Sequence, residues 1–504
     1  MTMQRSALGA QPSYAGLRVV ILGMARQGMA TARFFLARGA RVTVSDLRNA
    51  QQLAVACAEL AQFAAGHAPG SGSRPALRTV LGEHPLTLLD DADLLCLSGG
   101  VSPAIPLVQE AVRRGIPLRN DGQLTLRHSP VPVLGITGSA GKTTTTTLVG
   151  LMLSAAGYTV HVGGNIGTPL LDRLEAIAAG DKVVMELSSF QLELFDRSPA
   201  MAAILNITPN HLDRHPSMSH YAAAKSNILC FQSRGDTCVL SADDAYTGPW
   251  LRSGRCEIAA DTGQEAVYFP LQGTRLGFSL AVEVPAGAFL WGDRLLWRRP
   301  GLADAEICRT GEIRLRGRHN LTNILAACCL AGAAGASVEA MRSVAITFGG
   351  VEHRLEIVGQ RGDVLWIDDS IATTPERTVA ALRSFSEPIV LLLGGRDKHL
   401  PWAECAAEIH GHLANGLPRV RRVLLFGEAA RLIDDALAKH VRETGDSVVP
   451  VTRCADLPEA VAAAAAYALP GDVILLAPGG TSFDAYEDFA ARGRHFRALV
   501  EALP

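Results

Sequence analysis

None of the ten cysteines stands in a CxxC pair, which removes the common zinc-ribbon and dithiol redox patterns. Cys328 and Cys329 are adjacent within an Ala-rich stretch of helical character. Neighbouring helical side chains point in different directions, so packing suits this pair better than a bridge. Free thiols of a reducing compartment are expected. Long apolar runs are also missing. The longest, 389–393 and 473–476, have strand length, far below the roughly 20 residues that span a bilayer, so no membrane insertion is expected. The opening MTMQRSALGAQPSYAG has no apolar h-region, so we expect no signal peptide and a cytoplasmic location. There are no blocks of charge, and the formal net charge is only −2. That balance argues against a nucleic-acid partner or a membrane-surface protein. No fixed-period repeat is visible.

What is present is a long, apolar, β/α-patterned chain. Its 504 residues, 48% hydrophobic, predict about three domains at roughly 150 residues each. The first block has an apolar strand over 17–22, a Gly turn, an Ala-rich helix to about Arg38 and a second strand at 41–45. Residues 66–75 (GHAPGSGSRP) read as a solvated loop, with strand-like sequence resuming at 94–97. A second block starts with an apolar strand at 131–135 and a helix over 144–156. It contains a hairpin pattern at 288–297 around Gly292-Asp293 and a closing helix near 320–334. A third block begins near Phe348, with strands at 364–367, 389–393, 423–426 and 473–477 alternating with helical segments. That rhythm predicts a mostly parallel, doubly wound α/β sheet with ligands at the carboxyl ends of its strands.

The strongest local signal is GITGSAGKTTTTT, residues 135–147. A strand entering a Gly-rich turn and then a helix lets backbone N–H groups converge on phosphate oxygens at the positive helix end. Gly138, Ser139, Ala140 and Gly141 would form the cradle. Lys142 would reach the terminal phosphates, while Thr143, followed by Thr144, would offer its hydroxyl to Mg2+. Ile136 stands where a strict P-loop has its first glycine. A second Gly-rich turn, Gly23 to Gly28, follows the first strand, and Asp46 follows the second. Ala25 replaces the middle glycine of a dinucleotide fingerprint. An NAD site, another nucleotide site and a plain tight turn are all compatible with it.

Further along, VVMELSSFQ places Glu186 and two hydroxyls at the end of an apolar strand. A carboxylate there, facing a phosphate loop, is a reasonable Mg2+ ligand, although taken alone the reading as a surface or capped acid is favoured. AILNITPNHLDRH ends another strand with His211 and His215, and YAAAK carries Lys225, whose default reading is a solvated helix face.

Taken in order, TGSAGKT, MELSSFQ, NITPNHLDRH, YAAAK and RGRHNLTN resemble the Mur ligases of bacterial cell-wall synthesis, with ELSSFQLE the most diagnostic. The likeness runs from the Gly23 turn to SFDAYEDFAARGRHF. It implies three α/β domains: a Rossmann-like UDP-substrate domain (1–129), a central P-loop ATPase domain with a mostly parallel sheet plus a smaller sheet (130–347), and a Rossmann-like glutamate domain (348–504). It also implies an ATP- and Mg2+-dependent, monomeric enzyme of peptidoglycan synthesis that joins glutamate to UDP-N-acetylmuramoyl-L-alanine through an acyl phosphate. By similarity, Lys142, Glu186, His211 and Lys225 would be catalytic. Thr143, Glu186, His211 and a carbamylated Lys225 would hold metal. Asn320, Asn323, Arg354 and Asp369 would surround ATP. Gly23, Arg26, Gln27, Asp46, Arg48, Gly100, Asn165 and Ser188 would take the UDP-sugar, and Thr373, Lys398, Ser482 and Phe489 the glutamate.

Three positions depart from the family pattern. Ile371 in DSIAT replaces a frequent lysine, PGGTS replaces the more usual PAxAS, and Asn210 replaces a common acid before the histidine. The first two touch the amino-acid pocket; the resemblance implies D-glutamate, with the same reaction on L-glutamate as the alternative. Three other readings are weighed: a folylpolyglutamate-synthetase-like ligase, an NAD-dependent oxidoreductase and a nucleotide-regulated binding protein. The first should lack the N-terminal block, the second is opposed by the broken Gly motif, and the third by retention of Lys142, Glu186, His211 and Lys225.

Overall fold

The computed structural model describes residues 13–67, 77–209, 214–261, 265–315, 317–398 and 400–503. They form two compact units dividing between Phe348 and Gly349.

The first unit contains two large sheets. Short apolar runs such as those of Arg18–Leu22, Val133–Thr137 and Met201–Ile204, buried on both faces, supply their central strands, as parallel sheets covered by helices require. The N-terminal sheet is five-stranded and wholly parallel. The strand Arg18–Leu22 lies between Arg41–Asp46 and Leu94–Leu97, with Leu77–Leu81 and Leu118–Arg119 at the edges. The helix Arg26–Leu36 buries Phe34, Phe35 and Leu36. The loop expected at 66–75 largely coincides with residues 68–76, outside the described residues; the helix before it runs over Ala54–Gly66.

The second sheet of this unit has nine strands. At its centre Val133–Thr137 pairs in parallel with both Lys182–Glu186 and Met201–Ile204, placing Ile136 opposite Glu186 and Thr137 opposite Ile204. The hairpin expected around Gly292-Asp293 is present, as Gly287–Trp291 against Arg294–Arg298. It does not form a sheet of its own but extends the parallel sheet through Thr274–Ser279. A separate small sheet is the antiparallel pair Arg255–Ile258 and Val267–Pro270. One contiguous hydrophobic core runs from Val19, Ile21 and Phe35 to Val133, Met185, Ile204 and Trp250, so the first two sheets share an interior.

The second unit is a six-stranded sheet, parallel except for the edge strand Glu356–Arg361. Its inner strands Ile389–Gly394 and Val473–Gly479 are buried at every position. The ten cysteines are free thiols, and Cys328 and Cys329 are both buried in one helix. No described helix is long and apolar enough to cross a membrane.

Candidate active site

The strand Val133–Thr137 ends in the turn 138–141, and Gly141 caps the helix Lys142–Ala155 with φ +82°. A side chain on Gly141 would collide with Asn323 Oδ1, so glycine there solves two problems, the left-handed backbone and the close approach of Asn323. Asn323 in turn donates to Asn320 Oδ1 at 3.1 Å. Both asparagines expected near ATP are thereby brought to the phosphate loop. The loop is strapped to the residues after the third strand. Ala140 N–H donates to Asn206 Oδ1 at 2.9 Å, Ser139 N–H to Asn206 O at 3.0 Å, and Ser139 Oγ to Thr208 O at 2.9 Å. Lys142 Nζ donates to Gly138 O at 2.9 Å, keeping the ammonium at the loop.

Glu186 is 2% exposed. Its Oε2 accepts from Thr143 Oγ1 at 2.9 Å and its Oε1 from Asn165 Nδ2 at 3.0 Å. Asn165 therefore touches the carboxylate proposed for metal, a link that the sequence did not reveal because the two residues are joined only by strand pairing. Lys225, on the helix Met218–Cys230, is 1% exposed. Its Nζ donates to Gly138 O at 2.9 Å and lies 4.6 Å from the Tyr221 ring centre. Burial, reinforced by the Lys142 charge and only partly opposed by Glu186, drives its pKa well below that of a free lysine. The solvated-face reading of Lys225 is thus wrong: the side chain points into the protein, at the phosphate loop. His211 lies outside the described residues.

Mg2+ prefers oxygen ligands. Thr143 and Glu186 present a hydroxyl and a buried carboxylate at one strand end, where the carboxylate accepts from Thr143 Oγ1 and Asn165 Nδ2. That donor set fits a hard dication.

The first Gly-rich turn is tightly built. Gly23 has φ +90°, and a side chain on Gly28 would strike Gly23 O. Asp46 accepts from Met24 N at 2.7 Å and holds Arg48 through Nε at 3.0 Å and Nη2 at 2.7 Å. These bonds hold its carboxyl far below the usual range. Gln27 Oε1 accepts from Gly99 N, and Arg26 Nη1 donates to Gly167 O of the central sheet's loops. Gly100 has open space where a side chain would stand. A cavity lined by Ser98, Gly99, Asn120, Phe190 and Gln191 joins this sheet's carboxyl end to the short helix Ser189–Leu192. Ser188 caps that helix by accepting from Gln191 N.

In the second unit Lys398 Nζ donates to Thr373 Oγ1 at 3.1 Å, uniting two of the expected glutamate positions. Burial lowers the Lys398 pKa, helped by the charges of Arg377 and Arg492. Asp369 Oδ1 accepts from Leu355 N at 3.1 Å, and burial pushes its carboxyl up to about 7 against the pull of Arg354. Sequence reasoning overlooked two arginines. Arg492, fully buried, donates from Nη2 to Ser370 O at 2.9 Å and from Nη1 to Thr481 O at 3.2 Å. It fixes the turn carrying buried Ser482 against the loop after Asp369. Phe489 begins the helix that carries Arg492, and its carbonyl accepts from Ser370 Oγ. Arg377 Nη1 donates to Ile371 O at 3.1 Å, so a cation stands beside the position where the family's lysine is replaced. Nothing local in the sequence marks Arg377, which a helix start separates from Ile371.

Three family descriptions match in order: "Mur ligase MurD-like, N-terminal domain" over residues 17–120, "Mur ligase middle domain" over 136–331, and "Mur ligase, glutamate ligase domain" over 353–480. A UDP-N-acetylmuramoylalanine--D-glutamate ligase of Symbiobacterium thermophilum is 42% identical over 486 residues, covering 96% of this chain and 98% of that protein. The Syntrophus aciditrophicus protein of the same name is 35% identical, covering 97% and 98%. Among solved structures, a UDP-N-acetylmuramoyl-L-alanyl-D-glutamate--2,6-diaminopimelate ligase shares the fold at TM-score 0.50 and 16% identity, over 100% of this chain and 98% of that one. With its three domains in this order and relatives of this identity along nearly its whole length, the chain belongs to the Mur ligase family.

Proposed function

We propose that the chain is the ATP-dependent ligase that adds D-glutamate to UDP-N-acetylmuramoyl-L-alanine in peptidoglycan synthesis, giving ADP and phosphate. The observation that carries this reading is the convergence of Thr143, Asn165, Glu186 and buried Lys225 on one phosphate loop. The relatives named above supply the substrate and the D configuration.

In the first step an L-alanyl carboxylate oxygen attacks the γ-phosphorus of ATP. A carboxyl O–P bond forms and the bond to the ADP oxygen breaks. In the second, the glutamate amine attacks the acyl carbon, loses a proton, and phosphate leaves with the electrons of the C–O bond. Lys142 and the N–H groups of residues 138–144 neutralise charge on the transferring group. When bound, Mg2+ would supply positive charge that lowers the repulsion met by the incoming carboxylate. Thr143, Glu186, His211 and the carbamate of Lys225 are its proposed ligands. Carbamylation is supported by the depressed pKa of buried Lys225: its neutral amine would attack CO2, forming an N–C bond and releasing a proton, and so become an anionic oxygen donor beside Glu186.

We assign residues 1–129 to the UDP-substrate, with Gly23, Arg26, Gln27, Asp46, Arg48 and Gly100 at its nucleotide end and Ser188 and Asn165 nearer the reacting end. Residues 130–347 would hold ATP, with Asn320 and Asn323 beside the loop and Arg354 and Asp369 contributing from the third domain, 348–504. Thr373, Lys398, Ser482 and Phe489 would take glutamate, with Arg377 as a second cation for its second carboxylate. The enzyme would act as a cytoplasmic monomer, where ATP and the nucleotide-linked precursor are made.

Phosphate release measured with D- and L-glutamate separately, in the presence of the UDP-linked precursor, Mg2+ and ATP, tests the reading. Release with the D isomer alone is expected. Release with L-glutamate would overturn the stereochemical assignment, and release with neither would overturn the activity. Without glutamate, positional isotope exchange in ATP is expected from reversible acyl-phosphate formation.

A further inference from the structure

Three side chains that the ligase reaction does not use meet in the first unit. Glu193 closes the turn after the helix Ser189–Leu192, His215 precedes the helix Met218–Cys230, and His220 lies in that helix's first turn. One ligand atom from each lies within 4.8 Å of the others. His215 Nδ1 is 3.2 Å from Glu193 Oε1. Two donors at roughly 2.0–2.1 Å from one tetrahedral ion stand about 3.4 Å apart, so this pair already has the spacing of a shared metal.

The surroundings aim the donors inward. His215 is fully buried, its ring lies parallel to Phe190 with centres 5.3 Å apart, and Tyr221 packs 5.0 Å away. Its Nε2 is 3.0 Å from Ser189 Oγ. An Nε2–H donated to that hydroxyl leaves the Nδ1 lone pair facing Glu193, which is how an outer partner orients a metal-binding histidine. The Nδ1 atom of His220 is buried and has no hydrogen-bond partner among the described residues. A half-buried carboxylate and an idle imidazole nitrogen beside a held imidazole are groups that a dication would satisfy.

We propose that Glu193, His215 and His220 form a three-ligand site for a borderline transition-metal dication of the Zn2+ type, with a fourth position open to water. Two nitrogens and one oxygen select such an ion over Mg2+, so the site differs in chemistry from the oxygen donors at Thr143 and Glu186. The ion would tie the turn following Glu186 to the helix carrying Lys225.

The test is a Co2+ titration of the metal-stripped full chain in excess Mg2+, followed by visible absorption. One Co2+ per chain is expected, with the intense bands of a four-coordinate nitrogen/oxygen site, displaced by Zn2+. His220→Ala should abolish the bands. His220→Cys should keep them and add a thiolate-to-cobalt band in the near ultraviolet. Glu193→Gln should weaken binding about 10-fold or more, and serves as the independent readout if His220→Ala does not fold. Zn2+ should raise the melting temperature of the parent protein and of His220→Cys, and leave His220→Ala unmoved. Bands that persist unchanged in His220→Ala and Glu193→Gln would overturn the site. So would Co2+ bound only in a weakly absorbing form that Mg2+ displaces.

Discussion

At the scale of single residues, Lys225 sets the sharpest expectation. Burial and the Lys142 charge lower its pKa well below that of a free lysine, which favours the neutral amine that attacks CO2. Protein stripped of CO2 should lose most activity and regain it on adding bicarbonate, with the carbamate signal visible by carbon-13 NMR. Acid pH should reverse this by protonating the amine. Lys225→Ala should lower kcat/KM by about 10³-fold, equivalent to about 4 kcal/mol. Full activity without CO2 and no carbamate signal would leave Lys225 as a simple structural amine. The amino-acid pocket gives a second expectation. Arg377 stands beside Ile371 and depresses Lys398, so Arg377→Ala should raise the KM for glutamate about 10-fold and leave that for ATP unchanged. Adding Ile371→Lys to that variant should recover much of the loss. An unchanged KM would remove Arg377 from the pocket.

At the scale of elements, the phosphate loop works because Gly141 accepts φ +82° and lets Asn323 approach. Gly141→Ala should therefore cost about 1–2 kcal/mol of stability and weaken ATP binding more than glutamate binding, as calorimetric titration would report. The helix Asp121–His128 carries a pH dependence of its own. Gln191 Nε2 donates to Asp121 Oδ1 at 3.0 Å, yet burial pushes that carboxyl up to about 6. The folded protein then holds this proton where the unfolded chain has released it. The group's contribution to stability is therefore greatest below about pH 4, falls as pH rises to about 6, and stays lost above. Asp121→Asn should flatten that slope and gain about 2 kcal/mol at pH 8 relative to pH 4, seen in denaturant midpoints at the two values.

Elements of this kind were largely legible in the sequence. The strands expected at 94–97 and 364–367 appear as Leu94–Leu97 and Val364–Asp368, and the expected hairpin turns at Gly292-Asp293. Periodicity and turn residues are local signals, so they survive without a structure. Which strand pairs with which is not local, which is why the hairpin's attachment to the nine-stranded sheet and the Asn165–Glu186 contact were missed. Lys225 shows the same limit from the other side: its sequence reads as a solvated face, and only its place in the ordered motif set drew attention to it.

At the scale of the whole molecule, the chain's two compact units each carry their own core and their own tryptophans. Trp250, Trp291 and Trp297 belong to the first; Trp366 and Trp402 belong to the second. Units that bury separate cores are expected to unfold separately unless ligands couple them. Arg492 offers a way to disturb only one. Its guanidinium holds the carbonyls of Ser370, Gly480 and Thr481, and burial lowers its pKa to about 10. Arg492→Met would leave these carbonyls short of donors, at a cost of about 3 kcal/mol. In calorimetry the transition of residues 349–504 should then move down by several degrees, while the transition of the first unit stays in place. The UDP-linked precursor at about 100 times its Kd should add about 2.7 kcal/mol to the first unit, which is proposed to bind it, in the variant as in the parent. A single transition that shifts as a whole in Arg492→Met would mean that the two cores fold as one, and the separate treatment of phosphate and amino-acid chemistry by unit would have to be abandoned.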